Sequence, residues 1–242
     1  MPEAFNMTIK KTINMRIKKL LAAVAILMAT LTNAQDNKEG SVTYVTTMEG
    51  LAPEQAAMMG DMETILSFKN GKSLTEINSM MYTGKILNDE NGMLALNESM
   101  GNKTYTKMSK EELEKKVAER KEKDKVTEPK IEYTNETKSI AGYDCKKAIV
   151  TTTTQKDGEV KTDVWYTDKV PYVSAGGRGR EMFPGLKGMP LEYSFSQGAM
   201  KMKMVAKSVS FDKLPDSKFV LSTEGYTESK GFPGQGGQGG GK

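Results

Sequence analysis

The stretch LEYSFSQGAMKMKMVAKSVSFDKL, Leu191–Leu214, decides the fold. Its first residues put Leu191, Tyr193 and Phe195 on one face and Glu192, Ser194 and Ser196 on the other, the period-two alternation of a half-buried strand. After a turn at Gly198 the pattern resumes: Met200, Met202 and Met204 alternate with Lys201 and Lys203. A strand there projects three thioethers from one face and two ammonium groups from the other. Two such strands joined through a glycine turn form an antiparallel hairpin.

Hairpins recur in both directions from this pair. IEYTNETKSI (131–140) reaches a bend at Ala141-Gly142, and YDCKKAIVTTTTQ (143–155) is tied to EVKTDVWYT (159–167) through Asp157-Gly158, a preferred hairpin dipeptide. Nearer the N-terminus, SVTYVTTME (41–49) is rich in β-branched residues. Asn70-Gly71 joins a strand carrying Met62, Leu66 and Phe68 to one centred on Leu74 and Ile77. Asn91-Gly92 and Gly101-Asn102 delimit GMLALNES and KTYTKM.

Two helices interrupt the strands. APEQAAMMG (52–60) has Pro53 at its first position, Glu54 in its first turn and Gly60 at its end. Ser109 with Glu112 makes a capping box for a second helix, whose short apolar stripe of Leu113, Val117 and Ala118 leaves most of its surface to water. The glycine-rich SAGGRGREMFPGLKGMP (174–190) has no phosphate-binding spacing and reads as a mobile loop.

Residues 1–34 have the form of a secretory signal peptide. Lys10, Lys11, Arg16, Lys18 and Lys19 precede the apolar run Leu20–Leu31, and small residues lead to cleavage after Ala34; Met15 is an alternative start. The apolar run is too short to span a bilayer, so the mature chain is expected not to cross a membrane. Five of the 35 basic residues and one of the 31 acidic residues lie in this leader, so 30 of each sign remain. A neutral mature chain offers no electrostatic footprint for nucleic acid.

The chemistry is limited by what is missing. There is no histidine, which removes the usual general base and zinc ligand, and a single cysteine, Cys145, which cannot close an intrachain disulfide. Without a histidine or second cysteine beside it, Cys145 reads as a small apolar strand residue sharing a face with Tyr143, Ile149 and, unexpectedly for a buried face, Lys147. That last neighbour calls for a bulge or a strand near the sheet rim. Acidic pairs such as Asp61/Glu63 are ordinary turn chemistry. No catalytic residue, resident cofactor or metal site is nominated.

Fourteen of the 18 methionines follow Ala34. Methionine is flexible and polarisable, so it suits either irregular core packing or a surface that accepts varied apolar partners. Met200, Met202 and Met204, with Leu191, Tyr193, Phe195 and Trp165, are therefore the candidates for lining an apolar site; soft thioethers on an exported strand also suit copper(I).

The segments TKSIAGYDCKKAIV (137–150), VWYTDKVP (164–171), FPGLKGMPLEYSF (183–195) and DSKFVLSTEGY (216–226) resemble a family of exported bacterial proteins classed as a domain of unknown function. That family is similar to the GLPGLI-type exported proteins and, in fold, to the Lol-type periplasmic lipoprotein carriers. The resemblance spans Gly40 to Tyr226. It implies an incomplete antiparallel barrel around a hydrophobic cavity, partly plugged by helices, in which the carriers hold acyl chains; no functional residue carries over.

The expectation is a β-dominated α+β domain over 35–228, an open antiparallel half-barrel with one or two short helices packed on or plugging it, and a disordered Gly-rich tail over 229–242. The protein would be exported to the periplasm or secreted. It would be non-enzymatic, binding a lipid, acyl chain or envelope component. The alternatives are an envelope interaction module without a ligand, or a methionine-based copper(I) binder.

Overall fold

The computed structural model describes residues 38–50, 60, 62–155, 158–174, 182–197 and 200–229, without the side chains of Glu49, Thr154, Gln197 and Met200. All belong to one compact unit, Asn37–Lys242. The expected leader, the helix over 52–60 except Gly60, and the Gly-rich tail from residue 230 lie outside the described residues.

A meander opens the domain: β1 (Glu39–Glu49), β2 (Met62–Lys69), β3 (Lys72–Asn78), β4 (Tyr82–Asp89), β5 (Gly92–Ser99) and β6 (Asn102–Ser109). The helix α1 (Lys110–Lys123) follows, and a second run comprises β7 (Lys130–Ile140), β8 (Tyr143–Thr154), β9 (Gly158–Thr167), β10 (Met189–Gln197) and β11 (Met200–Ser210). A 3-10 turn (Asp216–Phe219) and the short β12 (Thr227–Glu228) complete the chain. The two runs join through β1 and β11 in one sheet, ordered β12-β6-β5-β4-β3-β2-β1-β11-β10-β9-β8-β7. Neighbours are antiparallel except β12, which runs parallel to β6, and the end strands β12 and β7 do not pair, so the half-barrel stays open.

Register defines an inner face. Val42, Leu66, Thr75, Ile86, Ala95 and Thr106 form one cross-strand row from β1 to β6, and Thr46, Met204, Tyr193, Val164 and Ala148 form another through β11 to β8. All of them are buried.

Two separate pieces cover this face. Leu113 of α1 packs on Ile86, Met93, Ala95 and Met108 over β4–β6. Ser109 and Glu112 cap the helix reciprocally, as expected, and none of its residues is buried. Over β1 and β8–β11, the connection between β9 and β10 inserts Val170, Phe183 and Leu186 among Tyr44, Leu66 and Tyr193, and the Tyr44 hydroxyl donates to the Pro190 carbonyl at 2.8 Å. The expectation of a mobile loop over 174–190 is therefore corrected from Phe183 onward. Its apolar residues reach a core that the strands alone leave uncovered.

The outer face of β2–β6 is covered by the chain after β11. Phe219 packs on Leu74 and Leu87, flanked by Leu214 and Leu221. Lys218 and Lys85 both reach Glu76, at 2.7 and 3.4 Å, and Lys69 bridges Glu39 and Asp216. The Ser229 amide donates to the Tyr105 carbonyl at 2.7 Å, extending the contact of β12 with β6.

Candidate functional site

Because α1 and the β9–β10 connection cover different parts of the inner face, the strip between them stays open at one end. There Phe68, Ser73 and Asn88 continue the inner-face row across β2, β3 and β4. They floor a groove of about 750 Å³. Leu113 walls it on the helix side and Pro171, Tyr172 and Val173 on the other. The local sequence sets this geometry: Asn70 and Gly71 both take positive φ in the β2–β3 turn. Gly92 has φ 131°, and a β-carbon there would lie 2.2 Å from the Met108 carbonyl, so only glycine lets β5 start against the head of α1.

The floor is partly polar but internally satisfied, since Asn88 Nδ2 donates to Ser73 Oγ at 3.4 Å. The rim carries Lys38, Lys69, Lys72 and Lys110 against Asp89 and Glu90. Lys69 is committed elsewhere: its ammonium serves Glu39, Asp216 and the Leu214 carbonyl, and the Asp216 hydrogen bond raises its pKa. Asp89 is turned into its own loop, accepting from the Asn91 amide at 2.8 Å. Lys72 and Lys110 have no ion-pair partner among the described residues.

The sequence-nominated residues lie elsewhere. Leu191, Tyr193 and Met204 are buried in the main core, with Phe195 packed against it. The expected common face is present, because the register sets Tyr193 beside Met204 and Phe195 beside Met202. That face is filled where it is described: the Tyr193 hydroxyl donates to Met204 Sδ at 3.0 Å, and its ring contacts Phe183 and Tyr44 edge-on. The β-position of Met200 is in register with Gln197, and its side chain lies outside the described residues.

Trp165 also packs against this core, but from the outer face, because the register pairs it with Glu192 and places Val164 beside Tyr193. It sits on the outer face in a polar groove of about 550 Å³ with Glu192, Ser194, Ser196 and Lys203, which Tyr193 and Phe195 also border. The Lys138 ammonium stands 4.2 Å from its ring centroid, occupying a surface that a stacked ligand would need. Burial pushes the Glu192 carboxyl upward, but hydrogen bonds from Lys138 (2.6 Å) and Lys203 (3.1 Å) outweigh it and hold it below the usual carboxylate range. This cluster is a closed ion network rather than a vacant site.

The Lys147 puzzle resolves on the same face. Lys147 pairs with Asp163 at 2.9 Å and Glu136 at 3.2 Å, and the register of β7 against β8 shifts between Tyr133 and Thr137 in the edge strand. Cys145 is fully buried, its thiol donating to the Tyr143 carbonyl at 3.5 Å, and burial pushes it up to about 11. A thiol so placed is not a nucleophile at neutral pH.

The groove residues escaped sequence reasoning because each belongs to a different element. The available signal was turn parity: in a meander the Asn70-Gly71 and Asn91-Gly92 turns fall at one end, and the Ser109 cap starts α1 beside them.

The fold and site define an open antiparallel half-barrel with a groove at one end. A family model described as "N-glycanase peptide, N-terminal domain" matches residues 93–178, less than half of the chain. No curated protein matches. Among solved structures, the Mycobacterium tuberculosis lipoprotein LppX is similar at 11% identity and a TM-score of 0.33, over 74% of this chain and 91% of that one. A superposition at that level does not transfer a ligand.

Proposed function

We propose that the protein is an exported, non-enzymatic binder of an apolar ligand, a lipid or acyl chain, and that the ligand lies in the end groove rather than against the methionine strand. One observation carries this reading: the inner face is sealed by Phe183 and Leu186 on one side and by Leu113 on the other, and the gap between them keeps Phe68, Tyr172 and Val173 around about 750 Å³. That volume lies within the range of small-molecule sites, roughly 300–1,000 Å³. Among the described residues no helix is long and apolar enough to cross a membrane.

The test is native mass spectrometry of protein purified from its own host, with displacement of a fluorescent acyl probe. Leu113→Glu, at the groove wall, should abolish probe binding while leaving the far-ultraviolet dichroism unchanged. Probe binding that survives this variant would place the ligand elsewhere.

A second reading, contact with another envelope protein, is favoured by Met80 and Met100, each 78% exposed, with Met81 at 38%. They occupy the β3–β4 and β5–β6 turns, at the end opposite the groove. Crosslinking in the native envelope, compared between wild type and Met80→Ser/Met100→Ser, tests it.

A further inference from the structure

We infer that the groove takes a single-chain anionic amphiphile, specifically a long-chain carboxylate, with its tail along Phe68, Leu113, Tyr172 and Val173 and its head held at the rim by Lys72 and Lys110. This rests on the groove reading above and adds the head group to it.

The inference comes from two ammonium groups at the groove mouth with no carboxylate in ion-pair contact among the described residues; Asp216 feels Lys72 only at longer range. Lys218, Lys85, Lys138, Lys147 and Lys203, on the outer face, each have a carboxylate within 4 Å. Lys69, on the rim, has two. Lys72 and Lys110 are exposed at the mouth of the groove and have none among the described residues. They are delivered from opposite directions, Lys72 by the β2–β3 turn and Lys110 by the first residue of α1.

Between them in register is Asp89, whose carboxylate accepts from the Asn91 amide in its own loop and keeps its charge. Glu90 remains as an exposed opposing charge on the rim. With Lys69 held by Glu39 and Asp216, the rim sets Lys38, Lys72 and Lys110 against Asp89 and Glu90. Lysine is a flexible point charge without the fork that arginine presents, so it asks of the head only negative charge within reach. This groove, narrowed by α1 on one side and Pro171–Val173 on the other, accommodates one chain.

The test compares decanoate with decan-1-ol, equal in tail and different in head, by isothermal titration calorimetry on the purified protein at low salt. Decanoate should bind more tightly than the alcohol, and Lys72→Gln and Lys110→Gln should each weaken decanoate by about two- to fivefold, as expected for exposed charge pairs. Neither should change the alcohol. Raising the salt to 0.5 M should erase most of the difference. Each added CH₂ should tighten both ligands by about fourfold. Equal affinity for acid and alcohol would overturn the head-group inference and leave the apolar groove standing. Absence of binding by either would overturn both. Circular dichroism and thermal midpoints of the two lysine variants, which remove no buried group, distinguish lost binding from lost folding.

Discussion

Phe219→Ala is the sharpest probe of how the outer face is held. Phe219 is 5% exposed and rests on Leu74 (1%) and Leu87 (8%), so nearly its whole ring leaves water when the C-terminal segment docks. Phenylalanine-to-alanine changes in cores cost about 3–5 kcal/mol. The lower end applies here, since one side of the cluster consists of a surface segment that can relax into the space. A loss of about 3 kcal/mol is a large part of the 5–15 kcal/mol typical of a domain. The segment is terminal, so the loss has two readouts. Urea unfolding should show the midpoint shift, and hydrogen exchange should show the Val220, Tyr226 and Ser229 amides, bonded to Ser217, Thr223 and Tyr105, opening before the β1–β2 and β10–β11 ladders. A shift under 1 kcal/mol with unchanged exchange at Ser229 would refute the claim that this segment is anchored through Phe219.

Three further outcomes follow from local chemistry. Native protein should not react with an aromatic disulfide reagent at pH 8, because Cys145 is buried with its thiol pushed up to about 11, and should react fully in denaturant; stoichiometric native labelling would contradict the packing. Burial raises Glu76, but Lys218 and Lys85 outweigh it and leave its folded pKa below the unfolded value near 4.3, so its contribution is present above that pH and fades as pH falls through the folded value. Glu76→Gln should accordingly cost about 1 kcal/mol at pH 7, reduced by solvent screening of the part-exposed lysines. The gap from wild type in chemical denaturation should close below about pH 4. Met100 holds φ 48° with its side chain 78% exposed, so Met100→Gly should raise stability by about 0.5–1 kcal/mol, read as a higher thermal midpoint.

The strands were legible where one face is wet. Tyr193 and Phe195 alternate cleanly with Glu192 and Ser194, and the hairpin appears where that alternation placed it. β4 gave no such signal, because Ile86 and Leu87 are adjacent and both buried: Ile86 lies under α1 and Leu87 under Phe219, so a strand covered on both faces loses its period. The turn before it, around Met80 and Met81, has no Asn-Gly or Asp-Gly pair and is closed instead by Ser79, whose hydroxyl accepts from the Tyr82 amide. The methionine face was legible as a face, but not as filled, since what fills it comes from Phe183 and Leu186 in a loop whose glycines suggested mobility. Trp165 reaches the main core from the outer face because the register shifts between Pro190 and Glu192, and an irregularity of one residue moves a side chain to the other face.

The meander has a consequence for how two roles could share one sheet. Antiparallel connection sends successive turns to opposite ends, so the β2–β3 and β4–β5 turns gather with the head of α1 while the β3–β4 and β5–β6 turns gather at the far end. The first end holds lysines around an apolar groove; the second presents Met80, Met81 and Met100 to solvent. Each β-strand is seven or eight residues long from β2 to β6, about 25 Å at roughly 3.4 Å per residue, so a ligand seated at the first end does not touch a partner at the second. Ligand loss in Leu113→Glu and contact loss in Met80→Ser/Met100→Ser should therefore be separable, with each variant leaving the other property intact. Loss of both from either substitution would mean that the two ends are coupled through the sheet, and β4 is the strand to examine, because Ile86 and Leu87 join the helix cover to the C-terminal one.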